Sequence, residues 1–159
     1  MVDTPENTPV EPTASQRHRA REAVLQALYQ WQLSGYAMRD VEAVFRADNN
    51  LKRADLAFFH QALSYIDLHY DALVDHVTPH LTRPWSDLTP IERNVVLLGA
   101  YELVARIDIP FRVAIAEAVA LSKKFGATDG HKFVNAVLDA LASEVREVEV
   151  TYSKTRERI

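Results

Sequence analysis

Four basic side chains, Arg17, His18, Arg19 and Arg21, crowd the segment 15–21, Ser-Gln-Arg-His-Arg-Ala-Arg. The chemistry they share is attraction for anions. The run from Ala23 to Leu33 has the period of an amphipathic helix, which puts these cations in its first two turns. The positive end of a helix dipole disfavours each cation there by roughly 0.3–1 kcal/mol at low salt. Arginines kept against that gradient point to an anionic partner, a nucleic acid before an acidic protein. At about 100° per residue, Arg17 and Arg21 share one side and Arg19 points more than a third of a turn away. A partner touching all of them must wrap the helix end, as a flexible single strand can. His18 and Tyr29 lie near the Arg21 side and offer planar surface for stacking bases. A solvated basic helix end with ordinary surface arginines accounts for the same charge pattern, and both readings stand at this level.

A second candidate is the segment 126–135, Gly-Ala-Thr-Asp-Gly-His-Lys-Phe-Val-Asn. A helix opening there offers free N–H groups to phosphate, with Lys132 as a point charge and His131 and Phe133 as stacking surface. Its structural alternative is Asp129 as an N-cap, Phe133 in the core and His131 in solvent. His69, His76 and His80 suggest a metal only superficially, because Pro79 breaks the helical register an i, i+4 pair needs. No G-x-S-x-G, no phosphate-binding G-x-x-x-x-G-K and no dinucleotide fingerprint occurs. Glu102 and Glu117, set in apolar helices, read as satisfied structural carboxylates.

The whole chain narrows these options. Its 159 residues suit one compact domain, and 48% hydrophobic content supplies an ordinary core. A net charge of −4 means any nucleic acid must be held by a local patch. With no cysteine, disulfides and thiolate chemistry are excluded. No segment has the pattern of a signal peptide or the roughly 20 apolar residues of a membrane span, so a soluble cytoplasmic protein with no membrane partner is expected.

The elements that must position the basic residues are helices throughout. Residues 1–14, rich in proline and carrying Asp3, Glu6 and Glu11, read as a disordered acidic arm, either a solvated leader without function or a competitor of the anionic partner for the arginines. A single all-helical domain follows over 15–150, in halves of about 15–83 and 84–150, with 151–159 as a frayed tail. Thr13 and Gln16 have capping-box spacing, and Gly35 stops the first helix. A short helix is predicted over 39–47, burying Val41, Val44 and Phe45. A long periodic stretch then turns Leu56, Phe59, Leu63, Ile66, Tyr70, Leu73 and Val77 inward. Thr89-Pro90-Ile91-Glu92 opens a central helix, apolar almost all round, whose Gly99 lets a neighbour approach closely. A helix over 111–125 ends at Gly126, and one from Asp129 to about Val148 closes the fold. The expectation is all-α: a compact bundle of about seven helices in two packed halves.

Taken in order, several segments resemble the NusB family of bacterial transcription antitermination factors. They are Ala20-Arg21-Glu22, Ala27-Leu28-Tyr29-Gln30-Trp31, Gly99-Ala100-Tyr101-Glu102-Leu103 and Asp108-Ile109-Pro110. With them go the stretch 113–119, then Lys124-Phe125-Gly126, His131-Lys132-Phe133-Val134-Asn135 and Val137-Leu138-Asp139. The likeness runs from about Gln16 to Ala142. It implies a helical, non-enzymatic protein without a cofactor. It also implies binding to boxA RNA, with NusE, a small-subunit ribosomal protein, as partner. The assembly with NusA, NusG and RNA polymerase would suppress premature termination in ribosomal RNA operons. By the same resemblance, Arg17, His18, Arg19 and Arg21 form the arginine-rich first helix that contacts RNA. The aromatic before the central helix falls on His80, the start of that helix on Glu92 and Arg93, and the last-helix entry on Asp129, Lys132 and Phe133. His18 departs from another basic residue, His80 from a tyrosine, and Ala116 and Ala136 from Asn and Gly. A NusB-like domain also heads certain ribosomal RNA cytosine methyltransferases, but no α/β cofactor domain follows in this sequence. A purely protein-binding adaptor is the remaining class.

Overall fold

The computed structural model describes residues 10–157, and every statement below refers to these. The acidic arm expected at the N-terminus lies for the most part outside them, Asp3 and Glu6 included. Eight α-helices follow in order. The first, α1 (Ala14–Ser34), is held at its head by a reciprocal cap. The Gln16 N–H donates to the Thr13 hydroxyl at 3.1 Å, and the Thr13 N–H donates to the Gln16 side chain at 2.8 Å. Gly35 ends α1 at φ 70°, a left-handed conformation that glycine adopts without strain.

α2 (Met38–Asp48) buries Val41 and Phe45, whereas Val44, expected inside, is 55% exposed. The long periodic stretch is two helices, α3 (Leu56–Leu68) and α4 (Tyr70–Val77), broken at His69. Leu56, expected inside, is 43% exposed at the first position of α3, and Phe58 is buried beside Phe59. The Asp55 carboxylate accepts the Phe58 N–H at 3.1 Å, and the Asp55 N–H donates to the Gln16 carbonyl of α1 at 3.0 Å. A 3-10 turn (Thr78–His80) and a second (Trp85–Asp87) lead to the central helix. Trp85 donates its indole N–H to the Tyr70 hydroxyl at 3.1 Å, and Trp31 meets Tyr70 edge-on, pinning this connection to α1 and α4.

α5 (Pro90–Ala105) starts at a second reciprocal cap, Thr89 with Glu92, and buries residues 94–103 without a break. It packs on α1, α3, α4, α6 and α7, so one core runs through both expected halves. At Gly99 an added Cβ would lie 2.5 Å from a Leu138 methyl, which is the close approach the sequence anticipates. α6 (Phe111–Phe125) and α7 (Gly130–Val145) complete the second half. The last helix therefore stops short of Val148. The segment expected to fray instead forms α8 (Glu147–Glu157). It is tied back by Arg112, which donates to Ser153 and pairs with Glu157, and by Arg146, which bonds Glu149 at 2.6 Å. No helix among the described residues is long and apolar enough to cross a membrane.

Candidate nucleic-acid interface

The head of α1 resolves its conflict with the helix dipole through carboxylates from distant helices. Arg17 donates from Nε and Nη2 to Asp55 Oδ2, both at 3.3 Å. The same Asp55 caps α3, so one acid fixes both a helix start and a guanidinium. A quarter of the Arg17 side chain stays exposed. Arg21 departs from the sequence expectation. It is buried, 2% exposed, and bonds Glu102 of α5 through Nη2 at 2.6 Å and Nε at 3.0 Å. A guanidinium so enclosed presents nothing to solvent, and Arg21 belongs to the core. Burial pushes the Glu102 carboxyl up from its ordinary range, and the Arg21 guanidinium offsets this only in part. The phenyl ring of Phe58 lies 5.6 Å from the Arg17 guanidinium and 5.2 Å from that of Arg21.

His18 faces α6. Its Nδ1 lies 2.8 Å from Glu117 and its Nε2 2.9 Å from Glu22. Both ring nitrogens of His18 are therefore engaged by carboxylates. Glu22 also accepts from Lys124 at 3.0 Å. Arg19 alone of the cluster is exposed and has no carboxylate within pairing distance among the described residues. Tyr29 is 43% exposed farther along α1.

The remaining candidates lie at the entries of α5 and α7, except His80, which meets the last turn of α7. His80 Nε2 lies 2.8 Å from Glu144 of α7. Glu92 accepts from the Thr89 N–H at 3.0 Å and from Arg83 at 2.6 Å. Burial raises its carboxyl, but the Thr89 N–H and the Arg83 guanidinium outweigh this and hold it below the usual range. Arg83 also lies 4.9 Å over the half-buried Phe133 ring, joining the two helix entries. Sequence reasoning did not single out Arg83, which sits before Pro84 in a stretch without periodicity. Arg93 is half-buried at the first turn of α5. Asp129 occupies the N-cap position of α7 without making a capping bond; its Oδ1 is 3.6 Å from Lys132 Nζ, and both side chains are exposed.

The two groups lie at opposite ends of α5, since Arg21 meets Glu102 while Gln32 meets Asn94 at 2.6 Å. Eight residues separate Glu102 from Asn94, about 12 Å along the helix. α6 connects them: it runs beside α1 through His18–Glu117 and Glu22–Lys124, then ends at Gly126 just before Asp129. The structure thus brings Glu92 and Phe133 together around Arg83, holds His80 at the far end of α7, and leaves the α1 head as a separate patch.

Fold and site together define an all-helical binding protein with a basic helix head and a second, mixed-charge helix-entry cluster. The sequence model of the NusB family matches residues 18–143. The transcription antitermination protein NusB of Thiobacillus denitrificans is 45% identical over 91% of this chain and 99% of its own length. That of Alcanivorax borkumensis is 42% identical over 95% and 99%. Among solved structures, T. maritima NusB superposes with a TM-score of 0.71 at 29% identity, covering 80% of this chain and 91% of that one. A structure of the antitermination factors NusB and NusE in complex with dsRNA gives 0.72 at 23% identity, covering 83% and 99%, and bears on the fold alone. This chain belongs to the NusB family.

Proposed function

We propose that this protein is a cytoplasmic, non-enzymatic antitermination factor that holds boxA RNA together with NusE. In that role it would join NusA, NusG and RNA polymerase at ribosomal RNA operons. The observation that carries the reading is the α1 head, where Arg19 is free in solvent and Arg17 and His18 are partly so. Asp55 at the start of α3 holds Arg17 through Nε and Nη2, so a phosphate arriving there meets a pre-set guanidinium. His18 has both ring nitrogens on Glu117 and Glu22 and lends charge and planar surface only. The second cluster supplies planar surface at Phe133 and donors at Arg83, Arg93 and Lys132, reached along the α1–α6 seam past Lys124. Glu92 and Asp129 act there as positioning or repelling groups, and His80 lies apart, held by Glu144 at the end of α7.

With Arg21 in the core, two arginines of α1 are left for phosphates. On a single strand these two contacts contribute about −1.4 to the log–log salt slope. Titrating labelled boxA RNA over a KCl series measures it, and Arg19→Gln is expected to make it shallower by about 0.7. A salt-independent affinity, or an Arg19→Gln variant that binds as tightly as the parent, rejects the reading. The NusB–NusE complex that shares this fold is described with double-stranded RNA. A duplex of the same sequence therefore belongs in the titration, and preference for it would replace the single-strand form.

A further inference from the structure

Arg19 does not point along the α1–α6 seam. It turns the other way, into a cleft between α1 and the connection from α2 to α3. Arg19, Glu22, Gln26, Asn49, Asn50 and Arg53 line this cleft, whose volume is about 200 Å³. Neither Arg19 nor Arg53 has a carboxylate partner among the described residues. The one acid on the wall, Glu22, is already held by His18 at 2.9 Å and Lys124 at 3.0 Å. Two unpaired guanidiniums therefore share a polar cleft with three exposed side-chain amides, those of Gln26, Asn49 and Asn50. The turn that carries them is ordered locally: Asn49 donates to the Phe45 carbonyl at 2.9 Å, and the Lys52 N–H donates to Asn50 at 3.1 Å.

The lining also indicates which part of a nucleotide fits. The aromatic side chain on its wall, Phe45, is 2% exposed and offers no stacking face. A site with cations, amides and no open ring takes backbone, independent of sequence.

We infer that the RNA strand crosses the head of α1 into this cleft, where Arg19 and Arg53 hold a backbone phosphate between them. The inference rests on the RNA-binding reading above and extends it to the α2–α3 connection. It gives the wrapping of the helix end a direction, away from α6 and toward α3. It also returns the count of phosphate-gripping arginines to three, with Arg53 in the place expected of Arg21.

The test uses the full chain with Arg53→Gln and Arg53→Lys, Arg53 being exposed and free of side-chain bonds among the described residues. Anisotropy titrations compare boxA RNA with a scrambled RNA of equal length over a KCl series. Because a phosphate contact is indifferent to sequence, Arg53→Gln is expected to weaken both RNAs several-fold and by the same factor, with a shallower slope, by at most about 0.7 since Arg19 still meets the shared phosphate. Arg53→Lys is expected to restore the slope. If Arg53→Gln binds both RNAs as the parent does while Arg19→Gln is weakened, the cleft is rejected and the RNA reading stands. A thermal-shift arm with inorganic phosphate separates a free-anion site. Phosphate stabilisation lost in Arg53→Gln with an unchanged RNA slope overturns the inference. If the parent binds neither RNA, both readings fall together.

Discussion

Arg21 shows how far a side chain's role can sit from its neighbours in sequence. By local pattern it is the third cation of a basic helix head; in the fold it is half of a buried ion pair with Glu102. Removing one partner of such a pair leaves an uncompensated buried charge, worth about 3–5 kcal/mol. Arg21→Met is expected to lower stability by that much in urea unfolding. Arg21→Met with Glu102→Leu should recover most of it, since an apolar pair of similar volume is often neutral or better. Acid should help the single variant. Glu102 is already pushed up by burial and loses its counter-ion, so the folded state binds its proton more tightly than the unfolded chain. The folded state then gains stability as pH falls through the weakly acidic range. A cost below about 1 kcal/mol, or one that grows with acid, contradicts this account. Arg17 and Arg21 were legible in the sequence as positions, and their partners were not. Asp55 and Glu102 stand 38 and 81 residues away. Arg83 was overlooked for the matching reason: its importance comes from bridging Glu92 and Phe133, which only the packed chain brings to it.

At the scale of elements, the sequence was most readable where chemistry is local. Thr13, Gly35, Thr89 and Gly126 mark helix ends by capping geometry that depends on three or four neighbours, and the structure places those ends accordingly. It was least readable where a periodic pattern continues across a break. Tyr70, Leu73 and Val77 keep the inward face through His69, so α3 and α4 looked like one helix. α8 was missed because its residues are mostly exposed and its hold comes from Arg112 and Arg146 on other parts of the fold. Gly99 gives a test of packing against propensity. Alanine gains roughly 0.8–1.0 kcal/mol in a helix interior. Its Cβ would come within 2.5 Å of Leu138, a fully buried side chain with little room to turn away. Overpacking of this kind costs about 1–3 kcal/mol. Gly99→Ala is therefore expected to destabilise by about 1 kcal/mol, and Leu138→Val to lessen that cost in a double-mutant cycle. Additive effects would show that the α5–α7 contact yields freely.

Across the whole molecule, α5 is the common wall against which both halves pack, and the two candidate patches sit near its two ends. The core could be anticipated from the apolar run in α5, but the separation of the patches could not. It follows from α1 and α5 running antiparallel, with Gln32 near Asn94 and Arg21 near Glu102. That arrangement sets the span an RNA must cover to use both patches, and it makes α6 the bridge.

The ties of α1 to α5 and α6 have one more consequence. Glu22 meets Lys124 across 102 residues and His18 meets Glu117 across 99, while α5, α6 and α7 pack against their near neighbours in the chain. Long closures are entropically dear and tend to form late in folding, short ones early. During synthesis, the basic helix leaves the ribosome well before the surface that orients it. RNA-binding competence should then be the last property the chain acquires. In refolding kinetics, substitutions at the α5–α7 contacts are expected to slow folding, while those at Glu22 and Lys124 mainly speed unfolding. The reverse pattern would mean that α1 docks first.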